Sequence, residues 1–523
     1  MIKTMKINIS NHIPVIILAI FYIIFSFYTF KLYGVTTDEP LEYQSAEKLL
    51  KFYQNGLFVS NIDNSFGNLS EDVLRHEPLV SMYYRGHLLL HAYLLSSKDF
   101  FELHFLNILL ALPLFITVYY VFLKIFGKWY YAMLGTLFLL LDPRITGHIP
   151  ANPKDFPFAS AVLIYVLLSY YFGIKKYSVL KNILLGLILG LVIGIRPIGV
   201  SILLSVFITH LLKAIIDRRI EVIKNSVFNL STQVIVSFIF LVFTWPFFAI
   251  NPVLHFFSYL FYGANFSDWS GTVFFRGEYL SFDKIPWEYL FVWLFNTTPV
   301  LHLFLVLVFF VFINKLIKNN LVQNILIIIG VNLLVYLIFS PLIYNSIRHY
   351  LFLTSLITLL CSYVLVFSVK CLSEKKFDGI FNYLMYIYTT ILLITIFSLV
   401  KDNIKLFPYQ NIYFNEISGG VSSMGKYYDT DYWHQSRLEA SLWIVNNLNT
   451  YGEKIYVCNM SEIVKYYQPR LEIVKDKDDA TVSICDPRRE LERNIDGQII
   501  HSISRENINL TNIRRLKEID SLN

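Results

Sequence analysis

Charge is what this chain of 523 residues has least of. Asp, Glu, Lys and Arg make up 16% of it, against about 25% in soluble domains, which excludes an ordinary water-solvated globule. Four cysteines are too few for a disulfide framework to be its main source of stability. A net charge of +6, with no basic stripe and no nucleic-acid motif, excludes a nucleic-acid partner. No Ser-His-Asp order or dinucleotide fingerprint stands out. The phosphate-loop lookalike "GVSSMGK", 420–426, has Tyr427 where Ser or Thr is needed and no strand before it.

What is present is apolar: 55% hydrophobic and 17% aromatic, with a mean hydropathy of +0.52. Coding bias also enriches Ile, Asn, Lys, Tyr and Phe, so the aromatic content carries no functional weight by itself. A spanning length of roughly 20 residues divides the apolar runs into about eleven membrane helices. Their expected positions are 13–33, 104–125, 130–141, 156–173, 182–195, 197–213, 228–250, 289–313, 323–343, 350–369 and 379–400, with 86–97 as a further buried segment. Segment 13–33 lacks a small-residue cleavage site and reads as a signal anchor. Gly186, Gly190 and Gly194, four apart, read as a close helix contact.

Lys and Arg gather in alternate loops: Lys3 and Lys6, Lys124 and Lys128, Lys175 to Lys181, Lys213 to Lys224, Lys315 and Lys318, Lys370 to Lys376. This predicts an N-terminus inside and a tail outside. The expected organisation is a multi-pass α-helical membrane domain, 1–400, with outer loops 34–103, 142–155 and 251–287, followed by a small extracytoplasmic α/β domain, 401–523. The β-branched runs "KIYVC", "LEIVK" and "ATVSI" supply strands for the latter. Cys458 and Cys485 fall in the tail and read equally well as a bridge or as two buried thiols. Cys361 and Cys371 read as packing residues.

The unusual polar residues cluster on the outer side. Asp38-Glu39-Pro40 begins an amphipathic helix that ends near Asn55-Gly56. The bland account is that its acids complement a helix N-terminus. The loop "LDPRITGHIPANPKDFPF", 141–158, packs Asp142, Arg144, His148, Asn152, Lys154 and Asp155 between four prolines, too polar and stiff for a plain connector. Arg196 and Arg348-His349 stand near outer helix ends, where an arginine snorkels or meets an anion such as a lipid phosphate. His87 and His91 stand at i, i+4; with no third ligand they read as packing residues rather than a metal pair.

Four stretches together resemble the GT-C superfamily of integral membrane glycosyltransferases, in its family 39-like branch of protein O-mannosyltransferases and aminoarabinose transferases. They are "TTDEP", "PRITGHIPANPKDFPF", "RHYLF" and "FPYQNIYFNEISGG…DYWHQSRLEASLWI", 407–444. The resemblance implies transfer of a sugar from a polyprenyl-phosphate donor to an extracytoplasmic glycan, lipid or protein, by inversion. It implies Asp38 as base, with Glu39 as its neighbour and Asp155 as second acid. It also implies a binding set of Lys154, His148, Asn152, Arg144, Arg196, Arg348 and His349, with membrane lipid around them. From the tail, Asp431 and Trp433, with Tyr409, Asn411, Asn415 and Tyr432, are expected either to bind the acceptor or to dock the tail. Loop 251–287 is too short for the lectin-like domain of eukaryotic mannosyltransferases, which tells against a protein acceptor. No cofactor is required; a divalent cation between Asp38 and Asp155 stays open. The alternative class, a transporter or lipid-linked-sugar flippase, predicts internal repeats and mid-helix polar groups, and neither stands out.

Overall fold

A computed structural model describes residues 9–54, 84–94, 99–173, 177–217, 220–264, 271–374 and 380–517. The protein is a multi-pass helical membrane protein with a small sheet region at its C-terminal end. All eleven expected apolar segments are helical. Seven helices are long and apolar enough to cross a membrane: Ile13–Leu32, Phe100–Phe126, Asp155–Phe172, Ile220–Thr244, Asn320–Phe339, Arg348–Glu374 and Asn382–Leu406. Trp129–Leu140, Val179–Ile195 and Gly199–Lys213 are shorter apolar helices. Segment 86–97 is helical as far as Leu94, and 95–97 lie outside the described residues.

One expectation is corrected. Segment 289–313 is not a straight span; it breaks into Tyr289–Thr297 and Val300–Val311, bent by 100°. Pro299 explains the break. It has no N–H to continue the helix and pushes the residue before it into an extended conformation, and Thr298 indeed has ψ 121°. The bend also frees Asn296 and Thr298 carbonyls, which the tail uses below.

The helix that starts at Leu351 is the most deeply buried, packed against Trp129–Leu140, Asp155–Phe172 and Val300–Val311. Helices Val179–Ile195 and Ile220–Thr244 pack closely along the glycine stripe. A Cβ on Gly186 would stand 2.7 Å from Val236 and one on Gly190 2.6 Å from Phe240, closer than atoms approach.

The segment before the bent pair forms a hairpin, β1 (Thr272–Phe275) with β2 (Glu278–Ser281). The tail carries β3 (Lys454–Val457), β4 (Glu472–Val474), β5 (Val482–Cys485), β6 (Gln498–Arg505) and β7 (Ile508–Arg515), in spatial order β4-β3-β5-β7-β6. β3 runs parallel to β4 and β5, whereas β7 is antiparallel to β5 and β6. The first three are the runs expected from sequence. Cys458 and Cys485 pair as a disulfide joining the ends of β3 and β5. The last membrane helix continues to Leu406 before the tail begins.

The tail is clamped onto the membrane part at several points. Asn415 donates from Nδ2 to the Thr298 carbonyl, 2.9 Å, and from its backbone to that of Asn296, 2.8 Å. The Tyr467 hydroxyl accepts from Val35 N, 2.5 Å, and the Tyr466 hydroxyl donates to Asp99, 2.8 Å. Gly34 lies so close to Gln435 that an added Cβ would stand 2.0 Å from its carbonyl oxygen. Gly147 does the same against Asn411 N at 2.1 Å. One apolar core accordingly runs from the membrane helices into Ile455, Val482 and Ile513 of the tail.

Candidate active site

The acidic helix Glu39–Gln54 begins with Thr36-Thr37-Asp38-Glu39, a Thr-x-x-Glu start. Glu39 folds back to accept from Thr36 N, 2.6 Å, as in a capping box. Its other oxygen meets His104 Nε2 at 2.8 Å, and the side chain is fully buried. This capping sends the neighbouring carboxylate the opposite way. The Asp38 side chain is 39% exposed and ion-paired with Arg348, itself 4% exposed.

Arg348 opens the span Arg348–Glu374, and its guanidinium lies over the rings of Tyr344, 5.0 Å, and Trp433, 5.3 Å. The turn before it is strained: Asn345 and Ser346 have φ of 54° and 67°, rare outside glycine. Arg144 braces that turn, donating to Ser346 Oγ, 2.9 Å, and to the Tyr413 carbonyl through Nε, 3.0 Å, and Nη2, 2.6 Å. It is buried and not among the residues lining the cavity described below, so its part is positional.

A second ion pair joins Asp155, the first residue of its span, to Arg196, the residue capping helix Val179–Ile195. Asn152 holds the Asp155 loop, accepting from Asp155 N at 2.8 Å and donating to its carboxylate at 3.2 Å and to His148 Nδ1 at 3.0 Å. The His148 ring meets Trp433 edge to face, 5.0 Å between centroids. Tyr344 lies near enough to Arg348, Asp38, Arg196 and Asp155 to feel all four charges, while burial is the main force raising its phenol pKa. The ring of His349 packs on Tyr344 at 4.6 Å.

Lys154 reaches Glu42 at 3.6 Å, and Arg85 pairs with the same carboxylate at 2.6 Å. Burial brings the Lys154 ammonium down to about 8; Glu42 pulls it back up, and Arg196 and Arg85 push it lower. Glu42, Arg85 and His104 were not singled out from sequence. Glu42 sits one helical turn after Asp38, which is a usable signal; Arg85 and His104 offer none.

The Asp38–Arg348 pair forms the floor of a cavity of about 380 Å³. Asp38, Arg348, Tyr344, Asp431 and Trp433 line it, together with residues of β1 and β2 and the tail's Asp429, His434, Asn459 and Asp486. Asp431 is turned to its own chain: it accepts from Gln435 N, 2.9 Å, and Ser436 N, 3.0 Å. Segment 407–444 both docks the tail and reaches the cavity. Tyr409, Asn411 and Asn415 are buried in docking contacts, and Asp431, Tyr432 and Trp433 line the cavity. Among the described residues no group of three or more His, Cys, Asp or Glu converges as a metal site. His87 and His91 instead bond the Pro153 carbonyl, 2.9 Å, and Asn107, 2.8 Å.

No protein-family model matches the chain, and no curated protein matches it. Among solved structures it is similar to ArnT from Cupriavidus metallidurans in the apo state, 12% identical with a TM-score of 0.46, covering 96% of this chain and 97% of that one. The same protein bound to undecaprenyl phosphate gives 12%, 0.45, 97% and 98%. An Archaeoglobus fulgidus oligosaccharyltransferase tethered with an acceptor peptide is 10% identical with a TM-score of 0.37, covering 77% of this chain and 56% of that one. The likeness is one of overall chain path only. Residue roles rest on the site itself.

Proposed function

We propose that the chain is a membrane glycosyltransferase that moves a sugar from a polyprenyl-phosphate donor to an acceptor on the extracytoplasmic side. One observation carries this reading. Asp38, Asp155, Arg196 and Arg348, drawn from four separate places in the sequence, form two ion pairs that both act on Tyr344, and Asp38, Arg348 and Tyr344 line one cavity. Their level in the fold supports a lipid-borne donor. Asp155 and Arg348 are the first residues of their spans, where an apolar helix gives way to polar surroundings and a lipid headgroup would lie.

Arginine presents a planar fork that suits phosphate oxygens. Nε of both Arg348 and Arg196 is buried with no hydrogen-bond partner, so each has a donor left to offer. As placed, Asp38 and Asp155 each hold an arginine and neither is a free base. A donor phosphodiester between the two guanidinium groups competes for them and releases the carboxylates, coupling donor binding to base activation. Asp38 then takes the proton of the acceptor hydroxyl. The acceptor oxygen bonds to the anomeric carbon as the bond from that carbon to the phosphate oxygen breaks. The electron pair leaves with polyprenyl phosphate, whose growing charge the arginines stabilise. A single displacement of this kind inverts the anomeric centre. Lys154, close enough to feel the charges of Arg196 and Asp155, adds a third cation to this group.

The test is transfer of labelled sugar from purified polyprenyl-phosphate donors by the full chain in lipid nanodiscs. Transfer that depends on Asp38 and Arg348 is the expected result. Movement of intact donor across vesicles, with no glycosidic bond broken, would replace the enzyme by a flippase.

A further inference from the structure

The floor of the cavity accounts for a donor. Its opposite wall belongs to the tail and the β1–β2 hairpin, and nothing in the reaction above uses it. That wall is firmly built. β1 is stitched to the tail by Asp429 N donating to the Phe274 carbonyl, 3.1 Å, and Phe274 N donating to Asp429 Oδ2, 3.0 Å. Arg488 donates to the Thr272 carbonyl at 2.8 Å and pairs with Asp429 at 3.5 Å.

In the wall stands His434, held in a left-handed backbone conformation with φ 60°. A non-glycine residue in that region costs about 1–3 kcal/mol and is kept where the surroundings require it. Its ring, 13% exposed, has Nε2 3.2 Å from the Asn459 amide and Nδ1 3.7 Å from Asp486, too far for a hydrogen bond. With the Asn459 oxygen turned toward the ring, that oxygen accepts from His434 Nε2 and from Arg489 Nε at 3.1 Å, and the amide nitrogen donates to the Cys458 carbonyl. Nδ1 is then a bare acceptor beside a carboxylate, an arrangement that a ligand hydroxyl completes by donating.

Two properties of the wall set the ligand class. Its charges are answered from within: Asp429 by Arg488, Asp486 by Arg437, Arg489 by Glu492. A wall with its charges paired does not select an ionic group. The cavity also carries six aromatic rings, those of Phe274, Tyr279, Tyr344, Tyr428, Tyr432 and Trp433, apolar faces between convergent polar groups. The outer strands of the five-stranded sheet, β4 and β6, contribute nothing to the cavity, and the Phe274 N–H and carbonyl of β1 are already taken by Asp429, so neither offers an extended peptide a strand edge there. Thr37 ties this wall to the floor: its hydroxyl lies 3.4 Å from the Trp433 carbonyl and 3.3 Å from Met460 Sδ. Asp38 follows Thr37, His434 follows Trp433, and Asn459 precedes Met460, so a ligand on His434 and Asn459 presents a hydroxyl toward Asp38.

We propose that His434, Asn459 and Asp486 form the acceptor subsite and that it takes an uncharged saccharide, not a peptide or an anionic group. This rests on the transferase reading and is tested apart from it. Saturation-transfer difference NMR on the full chain in nanodiscs reads binding of the methyl glycosides of glucose, mannose, galactose and N-acetylglucosamine. Binding of undecaprenyl phosphate is measured on the same samples.

At least one glycoside is expected to bind with the wild type and to lose tenfold or more of its affinity in His434→Asn and Asn459→Ala. Asparagine tolerates the left-handed backbone, so His434→Asn keeps the fold. Undecaprenyl phosphate affinity is expected to stay within twofold in both variants. No glycoside signal, a signal indifferent to both substitutions, or binding of short peptides instead overturns the proposal. Loss of undecaprenyl phosphate binding in the wild type overturns the transferase reading instead.

Discussion

The two sides of the cavity use the same residue types to different ends. On the membrane side, Arg348 in the lining and Arg196 outside it each hold one carboxylate and keep a buried Nε without a partner. On the tail side, Arg488 is occupied on every side: by Asp429, by Thr272, by Glu492 at 2.9 Å, and by the Tyr279 ring at 5.0 Å. An arginine with donor capacity to spare can receive an anion, whereas one whose donors are all engaged is a rivet. Counting charges around a cavity therefore says less than asking what each guanidinium still lacks.

The largest effect that would break this comparison comes from the membrane side. Asp38→Asn keeps the size and hydrogen-bonding shape of the side chain but removes the base. Transfer is expected to fall at least about 100-fold, with the variant folded by circular dichroism and binding polyprenyl phosphate. Near-normal turnover would take the base role from Asp38.

Next is the direct contrast between arginines. Arg348→Gln is expected to weaken polyprenyl phosphate binding by about 1.5–3 kcal/mol, the worth of hydrogen bonds to a charged group. Arg488→Gln is expected to leave that affinity alone and to raise amide exchange in β1 and β2. Equal effects of the two on donor affinity would erase the distinction between receptor and rivet.

A smaller effect concerns the seam between the two sides. Gly34→Ala places a methyl where the Gln435 carbonyl stands and should cost about 1–3 kcal/mol of stability through overpacking, read as an earlier thermal transition. Gly127→Ala is a fair contrast, since its left-handed φ of 79° carries strain but its Cβ meets nothing.

The smallest is a pH effect. Lys154 loses its proton at about pH 8, so donor kcat/KM is expected to decline severalfold as pH rises through 8. Lys154→Arg should push that limb higher. The sign for stability is the reverse. Between about pH 8 and the ordinary lysine value the unfolded chain holds a proton the folded one lacks, so Lys154 makes stability rise with pH across that window.

Much of the membrane part was legible in the sequence because burying twenty apolar residues in lipid leaves a long, redundant signal. The bend at Thr298-Pro299 was missed, although the proline was in view: a run of apolar residues on both sides hid a local rule. The β6–β7 pair was also missed. Its turn, Glu506-Asn507, has φ of 46° and 65° without a glycine to announce it. At the site, residue types pointed to loops that the structure brings near one another but not to the direction of each side chain. Asp38 and Glu39 are adjacent, yet one backbone hydrogen bond from Thr36 turns Glu39 into the protein and leaves Asp38 at the cavity. Arg144 stood in the same expected binding set as Arg348, and its carbonyl and hydroxyl partners set it apart.

Because Gly34, Val35 and Thr37 all touch the tail, the strand of chain that delivers Asp38 is gripped by residues some four hundred positions away. The two units are thus halves of a single vessel rather than an engine with an accessory. A tail borrowed from another chain would have to bring a matching carbonyl for Gly34 and a matching tyrosine for Val35, or the borrowed lid would leave the acid out of line.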